Sequence, residues 1–192
     1  NDNDPKGSAF APLMLKSAKQ GKTSISLTWK KATGAKTYVI YGNACGKKTK
    51  LVKVGSTNKL TYNVKKINKK ALKKATYHKF IVVALDSKGK VVSTSKVIHV
   101  ATKGKGNPAK VKVSSKVKKN KLSLKKGKTV KLAGKAVGKK VTQHVKVRYE
   151  SSKPKIASVD KNGKVKGLKK GKCKIYAYAQ NGVCTTISVT VK

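Results

Sequence analysis

Hydrophobic and polar residues alternate along this chain in short runs, with turn residues between them. Ile25, Leu27 and Trp29 alternate with polar neighbours, and Tyr38-Val39-Ile40-Tyr41 follows after Thr33-Gly34-Ala35. Leu51–Val54 and Leu60–Val64 are short candidates, and Phe80–Leu85 is joined to Val91–Val100 across Asp86-Ser87-Lys88-Gly89. A period of two over four to eight residues, bounded by Gly, Asn, Asp and Ser, predicts half-buried strands, here seven between Leu13 and Ala101. The lysine-rich stretch Lys65–Lys74, with Ile67 and Leu72, predicts a loop or short helical turn.

The pattern then repeats. Val111–Val113, Leu122–Leu124, Thr129–Leu132, Val145–Tyr149, Cys173–Ile175 and Ile187–Val191 alternate in the same way. Asn162-Gly163 and Asn181-Gly182 predict two-residue hairpin turns with positive φ. Between the blocks, Gly104-Lys105-Gly106-Asn107-Pro108 is a linker signal. The expected organisation is a leader or linker at 1–10, one sandwich at 11–103, a linker at 104–109 and a second sandwich at 110–192. The fold class is all-β: two tandem immunoglobulin-like antiparallel β-sandwiches. Each is about 90 residues, a normal size for that architecture. The polar start of the chain suggests a longer parent protein.

Two resemblances sharpen this. Ile25-x-Leu27-x-Trp29, Tyr38-x-Ile40 and Leu72 followed by Phe80-x-Val82-x-Ala84 resemble the fibronectin type III family. That family places a tyrosine two residues before the Phe80 position to tie down a strand corner; here His78 stands there, with Tyr77 beside it. The second block resembles the bacterial Ig-like group 2 family. The matching residues are Ser151-Ser152-x-Pro154-x-Ile156-Ala157-x-Val159-Asp160, Asn162-Gly163-x-Val165-x-Gly167 and Gly171-x-Cys173-x-Ile175-x-Ala177, with Tyr149 where many members have tryptophan. The resemblances imply spacers, adhesin stalks or accessory domains of bacterial cell-surface or secreted proteins, not enzymes, and hence an extracellular location.

Charge changes the picture most. The chain carries 49 Lys and Arg against five acids, a formal net charge of +44, and Arg148 is the only arginine. The excess is even: 23 lysines fall in residues 1–103, and 25 with Arg148 in 104–192. Such a field attracts polyanions over roughly 8 Å at physiological salt. Lysine is a hydrated point charge, whereas arginine's planar fork suits bidentate reading of bases and phosphates. The expected partner is therefore an anionic wall polymer or host glycan, held by many weak contacts, with sequence-specific DNA binding disfavoured. Sequence-nonspecific binding of extracellular DNA and a glycan-binding accessory role in a larger enzyme are the alternatives. A solvated surface that serves only solubility is a further account.

Candidate chemistry is sparse. The five acids form no arguable pair, and His78, His99 and His144 lack metal-ligand spacing. No catalytic, cofactor or metal site is expected. Three cysteines make an odd count. Cys173 should point inward and Cys184 outward beside Ala179, which disfavours a disulfide between them; Cys45 lies in a loop.

Two surface patches remain. Lys146 and Arg148 on one strand, with Lys174, Tyr176 and Tyr178 on its neighbour, form a candidate polyanion or glycan patch, in which tyrosine faces would stack ligand rings. Serine at Tyr176 and Tyr178 would then weaken binding without unfolding the domain. Ordinary cross-strand pairing is the alternative. In the first block, Val39, Tyr41, Ile81 and Val83 fall on the outward parity and form a candidate partner surface.

Overall fold

The computed structural model describes residues 4–192, and divides the chain into two compact units, Asn1–Asn107 with Lys140–Thr142, and Pro108–Lys139 with Gln143–Lys192. Each is a β-sandwich, and there is no α-helix among the described residues.

In the first unit the strands are β1 (Lys16–Gln20), β2 (Ile25–Thr28), β3 (Thr37–Ala44), β4 (Val52–Thr57), β5 (Thr61–Val64), β6 (Lys66–Ile67), β7 (Lys70–Ala71), β8 (Tyr77–Leu85), β9 (Val91–Thr94) and β10 (Ile98–Ala101). One sheet has the order β1-β2-β5 and the other β10-β8-β3-β4, with β9 also pairing β8. Between them Leu13, Ile25, Leu27, Ile40, Phe80, Val82, Ile98 and Val100 form the core. Trp29 packs on Tyr38 with ring centroids 5.5 Å apart, and the Tyr38 hydroxyl accepts the Ala32 N–H. Each large aliphatic buried here contributes roughly 1.5–3 kcal/mol before chain entropy is counted.

Several expectations change. The Lys65–Lys74 stretch is neither a helical turn nor a plain loop. β6 and β7 form a miniature hairpin in which Asn68 and Lys69 both have positive φ, 50° and 64°, the backbone a tight two-residue turn requires. Val91–Val100 is two strands, broken where Ser95 Oγ accepts the Val82 N–H. The leader is part of the folded unit from Asp4 onward; its residues 1–3 lie outside the described residues. The Asp4 carboxylate accepts the Val97 N–H at 2.7 Å and pairs with Lys96 at 3.5 Å, and Phe10 is buried. The break between β9 and β10 leaves an N–H for that carboxylate.

The second unit contains β11 (Lys110–Lys112), β12 (Lys121–Leu124), β13 (Thr129–Lys131), β14 (Lys135–Val137), β15 (Arg148–Ser151), β16 (Ala157–Val159), β17 (Lys164–Gly167), β18 (Gly171–Tyr178) and β19 (Cys184–Val191). A four-stranded sheet runs β12-β19-β18-β15, with β12 parallel to β19; the other sheet is β13-β17-β16, and β11 pairs β14. Leu122, Leu124, Leu132, Ile175, Ile187, Val189 and Val191 fill the space between.

The hairpin turns differ from the two-residue form. Asp160 N–H donates to the Lys164 carbonyl and Gly163 N–H to the Asp160 carbonyl, enclosing three residues; Gly163 has φ +82° and Asn162 is not left-handed. Ala179–Val183 repeats this with Gly182 at +88°. A type I turn followed by a left-handed glycine needs positive φ at one residue only. In the first of these the Asp160 carboxylate also accepts the Asn162 and Lys164 N–H groups, which lowers its pKa. The extra loop residue places Cys184 opposite Tyr178, not Ala179.

Candidate functional site

The four-stranded sheet of the second unit positions most of the expected patch. β15 lies beside β18, with Arg148 opposite Tyr178 and Glu150 opposite Tyr176. Cys173, Ile175 and Ala177 alternate with them and are buried in the core, so Lys174, Tyr176 and Tyr178 occupy the other face.

That face is not the open aromatic platform the alternation suggests. The Arg148 guanidinium lies over the Tyr178 ring at 4.9 Å, and Tyr178 is only 2% exposed. A cation over an aromatic face is an attractive pairing worth about 0.5–2 kcal/mol. It occupies the surface on which a sugar or base would stack. Tyr176 is half-buried, and burial raises its pKa, with smaller contributions from Cys184 and Glu150. Lys174 is exposed.

Lys146 lies outside the paired strand. His144 takes a left-handed φ of 52°, Val145 is 51% exposed and β15 starts only at Arg148. A left-handed residue interrupts extended pairing, so the clean alternation over Val145–Tyr149 yields a strand in its second half alone. The Lys146 carbonyl accepts the Gln180 side-chain amide at 2.8 Å. Serine at Tyr178 would therefore disturb the fold as well as any ligand.

In the first unit the parity is as expected: Val39 is opposite Val83 and Tyr41 opposite Ile81. The exposure is not. Val39 and Ile81 are buried, and Tyr41 and Val83 half-buried, so these four residues form no open apolar stripe. β3 and β8 are inner strands, and neighbours such as Ser56, Lys53 and Thr94 flank these side chains. Farther along the same face, Lys79 is buried and its ammonium donates to the carbonyls of Gly46 and Thr49 at 3.2 and 2.6 Å.

His78 sits on the inward face, buried and stacked on Phe80 at 6.4 Å. His78 therefore makes no tyrosine-type corner bond; the preceding Tyr77 donates its hydroxyl to the Gly106 carbonyl at 3.0 Å, far downstream in sequence. His78 also borders a cleft of about 320 Å³ with Asn43, Asn68 and Lys70. Its Nδ1 is buried without a hydrogen-bond partner. Burial lowers its pKa below the ordinary 6.5, opposed by a smaller pull from the Thr76 backbone. The unfolded ring then takes a proton more readily than the folded one. The stabilisation is complete above 6.5 and is lost as the pH falls through the lowered folded value. The urea midpoint of the first unit is expected to drop between about pH 7 and 5, and His78→Phe to flatten that drop. An unchanged pH profile in the variant would contradict this assignment.

Among the described residues, Cys45, Cys173 and Cys184 form no disulfide. Cys173 is buried in the core, which raises its pKa, and Cys184 Sγ lies 3.9 Å from Thr186 Oγ1. Among the described residues there is no cluster of His, Cys, Asp and Glu able to hold a metal ion.

Fold and site together define a tandem immunoglobulin-like β-sandwich, a class of generally non-catalytic modules. Residues 111–191 match the family model described as bacterial Ig-like domain (group 2), which occurs in bacterial surface proteins. A stretch of 70 residues is 41% identical to lacto-N-biosidase of Bifidobacterium bifidum, covering 36% of this chain and 6% of that protein. The chain thus spans a small fraction of that curated relative's length. Similar solved structures include a domain of human fibronectin type III domain containing protein 3, 25% identical with a TM-score of 0.37, covering 51% of this chain and 92% of that one. Another is the FN5 domain of Drosophila Lar, 28% identical with a TM-score of 0.37, covering 47% and 91%. Among the described residues no helix is long and apolar enough to cross a membrane.

Proposed function

We propose that this chain is a pair of non-catalytic modules of a larger bacterial cell-surface or secreted protein, a spacer that also attaches electrostatically to anionic wall polymers or glycans. The observation that carries this reading is the charge: +44 on 192 residues, spread over both units and supplied almost wholly by lysine. Two lysine-rich sandwiches present many shallow contacts and no dominant pocket chemistry. Attachment then arises from counterion release at many points. Self-repulsion among the lysines also destabilises the free protein, and a polyanion relieves it.

The test is binding of the intact chain to wall teichoic acid, heparin, duplex DNA and a neutral glucan at about 50 and 200 mM salt. If six to ten anionic groups are engaged, affinity for the wall polymer falls by roughly 10³–10⁵ across that range. Binding indifferent to salt, or absent for every polyanion, overturns the electrostatic part of the proposal. Equal binding of DNA and teichoic acid at matched charge reduces it to a generic charge effect.

A second reading has its own support. The relative in Bifidobacterium bifidum is named as a glycosidase, and the match covers a stretch of 70 residues. On this reading the chain is an accessory part of a glycan-processing enzyme. It requires binding to neutral glycan that persists at high salt, and the covering of Tyr178 by Arg148 removes one stacking surface for it.

A further inference from the structure

Away from the Arg148–Tyr178 pair, the outer face of the four-stranded sheet carries a second constellation. On β12, β19 and β18, Lys121 is level with Ser188, and Ser188 with Lys174. In the next row Ser123 is level with Thr190, and Thr190 with Lys172. Each of these positions alternates with a buried residue, Leu122 and Leu124 on β12, Val189 and Val191 on β19, Cys173 and Ile175 on β18. Their side chains therefore leave the sheet on one side. Neighbouring strands lie about 4.8 Å apart, so the Lys121 and Lys174 backbones stand roughly 10 Å apart across β19, and the rows about 7 Å apart. Hydroxyls form the floor and ammonium groups the walls.

The surface there is concave. One hollow of about 770 Å³ is lined by Lys116, Lys118, Lys121 and Lys172, and a second of about 300 Å³ by Lys153, Lys172 and Lys174. The two share Lys172, Ser188 and Thr190, which makes one trough, and among the described residues no carboxylate side chain lines either. Like charges gathered in a concavity without counter-charges repel one another and focus the field outward.

We infer that this trough binds a linear phosphate polymer, as one extended phosphodiester chain lying over β19. The lysines meet phosphate oxygens as point charges, and Ser188 and Thr190 donate hydroxyl hydrogen bonds to phosphate or accept them from backbone alcohols of the polymer. A single chain suits walls about 10 Å apart. The inference rests on the polyanion reading above and adds to it a location and a ligand class.

The experiment measures binding of the full chain to fluorescent poly(glycerol phosphate), with heparin and duplex DNA alongside. Two variants of equal charge are compared. One carries Lys116→Gln, Lys121→Gln, Lys172→Gln and Lys174→Gln; the other carries Lys135→Gln, Lys155→Gln, Lys161→Gln and Lys166→Gln, which are exposed and outside the trough. All eight side chains are solvent-facing, and matched circular dichroism and melting confirm that both variants fold. The trough variant is expected to bind at least about tenfold more weakly than the control, with its log–log salt slope shallower by about three. Equal losses in both variants overturn the trough and leave the general polyanion reading standing. Failure of the parent to bind the polymer overturns the trough, and failure with heparin as well removes the polyanion reading. Duplex DNA bound more tightly than the single-chain polymer at equal phosphate also overturns it.

Discussion

Tyr178→Ala is expected to destabilise the second unit by about 3–5 kcal/mol, the range for truncating a large buried aromatic. Tyr178 is 2% exposed and lies beneath the Arg148 guanidinium, so the change removes the ring and uncovers the cation. For a domain of this size the melting temperature would fall by roughly 15 °C or more. Tyr176→Ser, at a half-buried position two residues away, is expected to cost less than about 1 kcal/mol. Trp29, the single tryptophan, belongs to the first unit, so its fluorescence transition should stay in place while tyrosine dichroism of the second unit shifts. A Tyr178→Ala melting temperature within about 2 °C of the parent would mean that the ring is a surface group after all.

Gly163→Ala is the second large effect. Gly163 has φ +82°, and an added Cβ would stand 2.6 Å from Tyr149 Cζ and 2.8 Å from its hydroxyl oxygen. The left-handed backbone costs about 1–2 kcal/mol for an L-residue, and overpacking adds about 1–3 kcal/mol. Moving the Tyr149 ring also strains the bond its hydroxyl accepts from the Gly134 N–H at 2.9 Å. The expected loss is about 2–5 kcal/mol in urea unfolding. Gly127→Ala separates the contributions, since Gly127 has φ +83° but an added Cβ there would meet no atom within 4 Å. It should show the backbone cost alone. Equal losses at both glycines would contradict a role for the Tyr149 contact.

The strand pattern was legible because burial on one sheet face imposes a period of two. Cys173, Ile175 and Ala177 on β18 and Ile25 and Leu27 on β2 are buried as alternation predicts. What alternation cannot express is what lies over the outer face. Tyr178 has the parity of a surface residue but is covered by Arg148 from the adjacent strand, and Ile81 has it within an inner strand with neighbours on both sides. Local backbone chemistry was another blind spot. Nothing in Val145–Tyr149 announces that His144 turns left-handed and delays the strand. The Asn-Gly pairs suggested two-residue turns, whereas the pairing closes three-residue loops. The trough shows the limit of reading one strand at a time. Alternation marked Lys174 on β18 as outward-facing, but singled out neither Lys172 on the same strand nor Lys121 on β12. Their convergence depends on the parallel pairing of β12 with β19, two segments more than 60 residues apart in sequence.

The central claim is that lysine charge attaches this module to an anionic polymer. Its most direct test is co-sedimentation of the intact chain with purified Gram-positive cell walls, before and after chemical removal of their anionic polymer, at low and physiological salt. The account predicts that the chain sediments with intact walls at low salt, dissociates as salt rises and fails to bind stripped walls. Equal sedimentation with intact and stripped walls would contradict it.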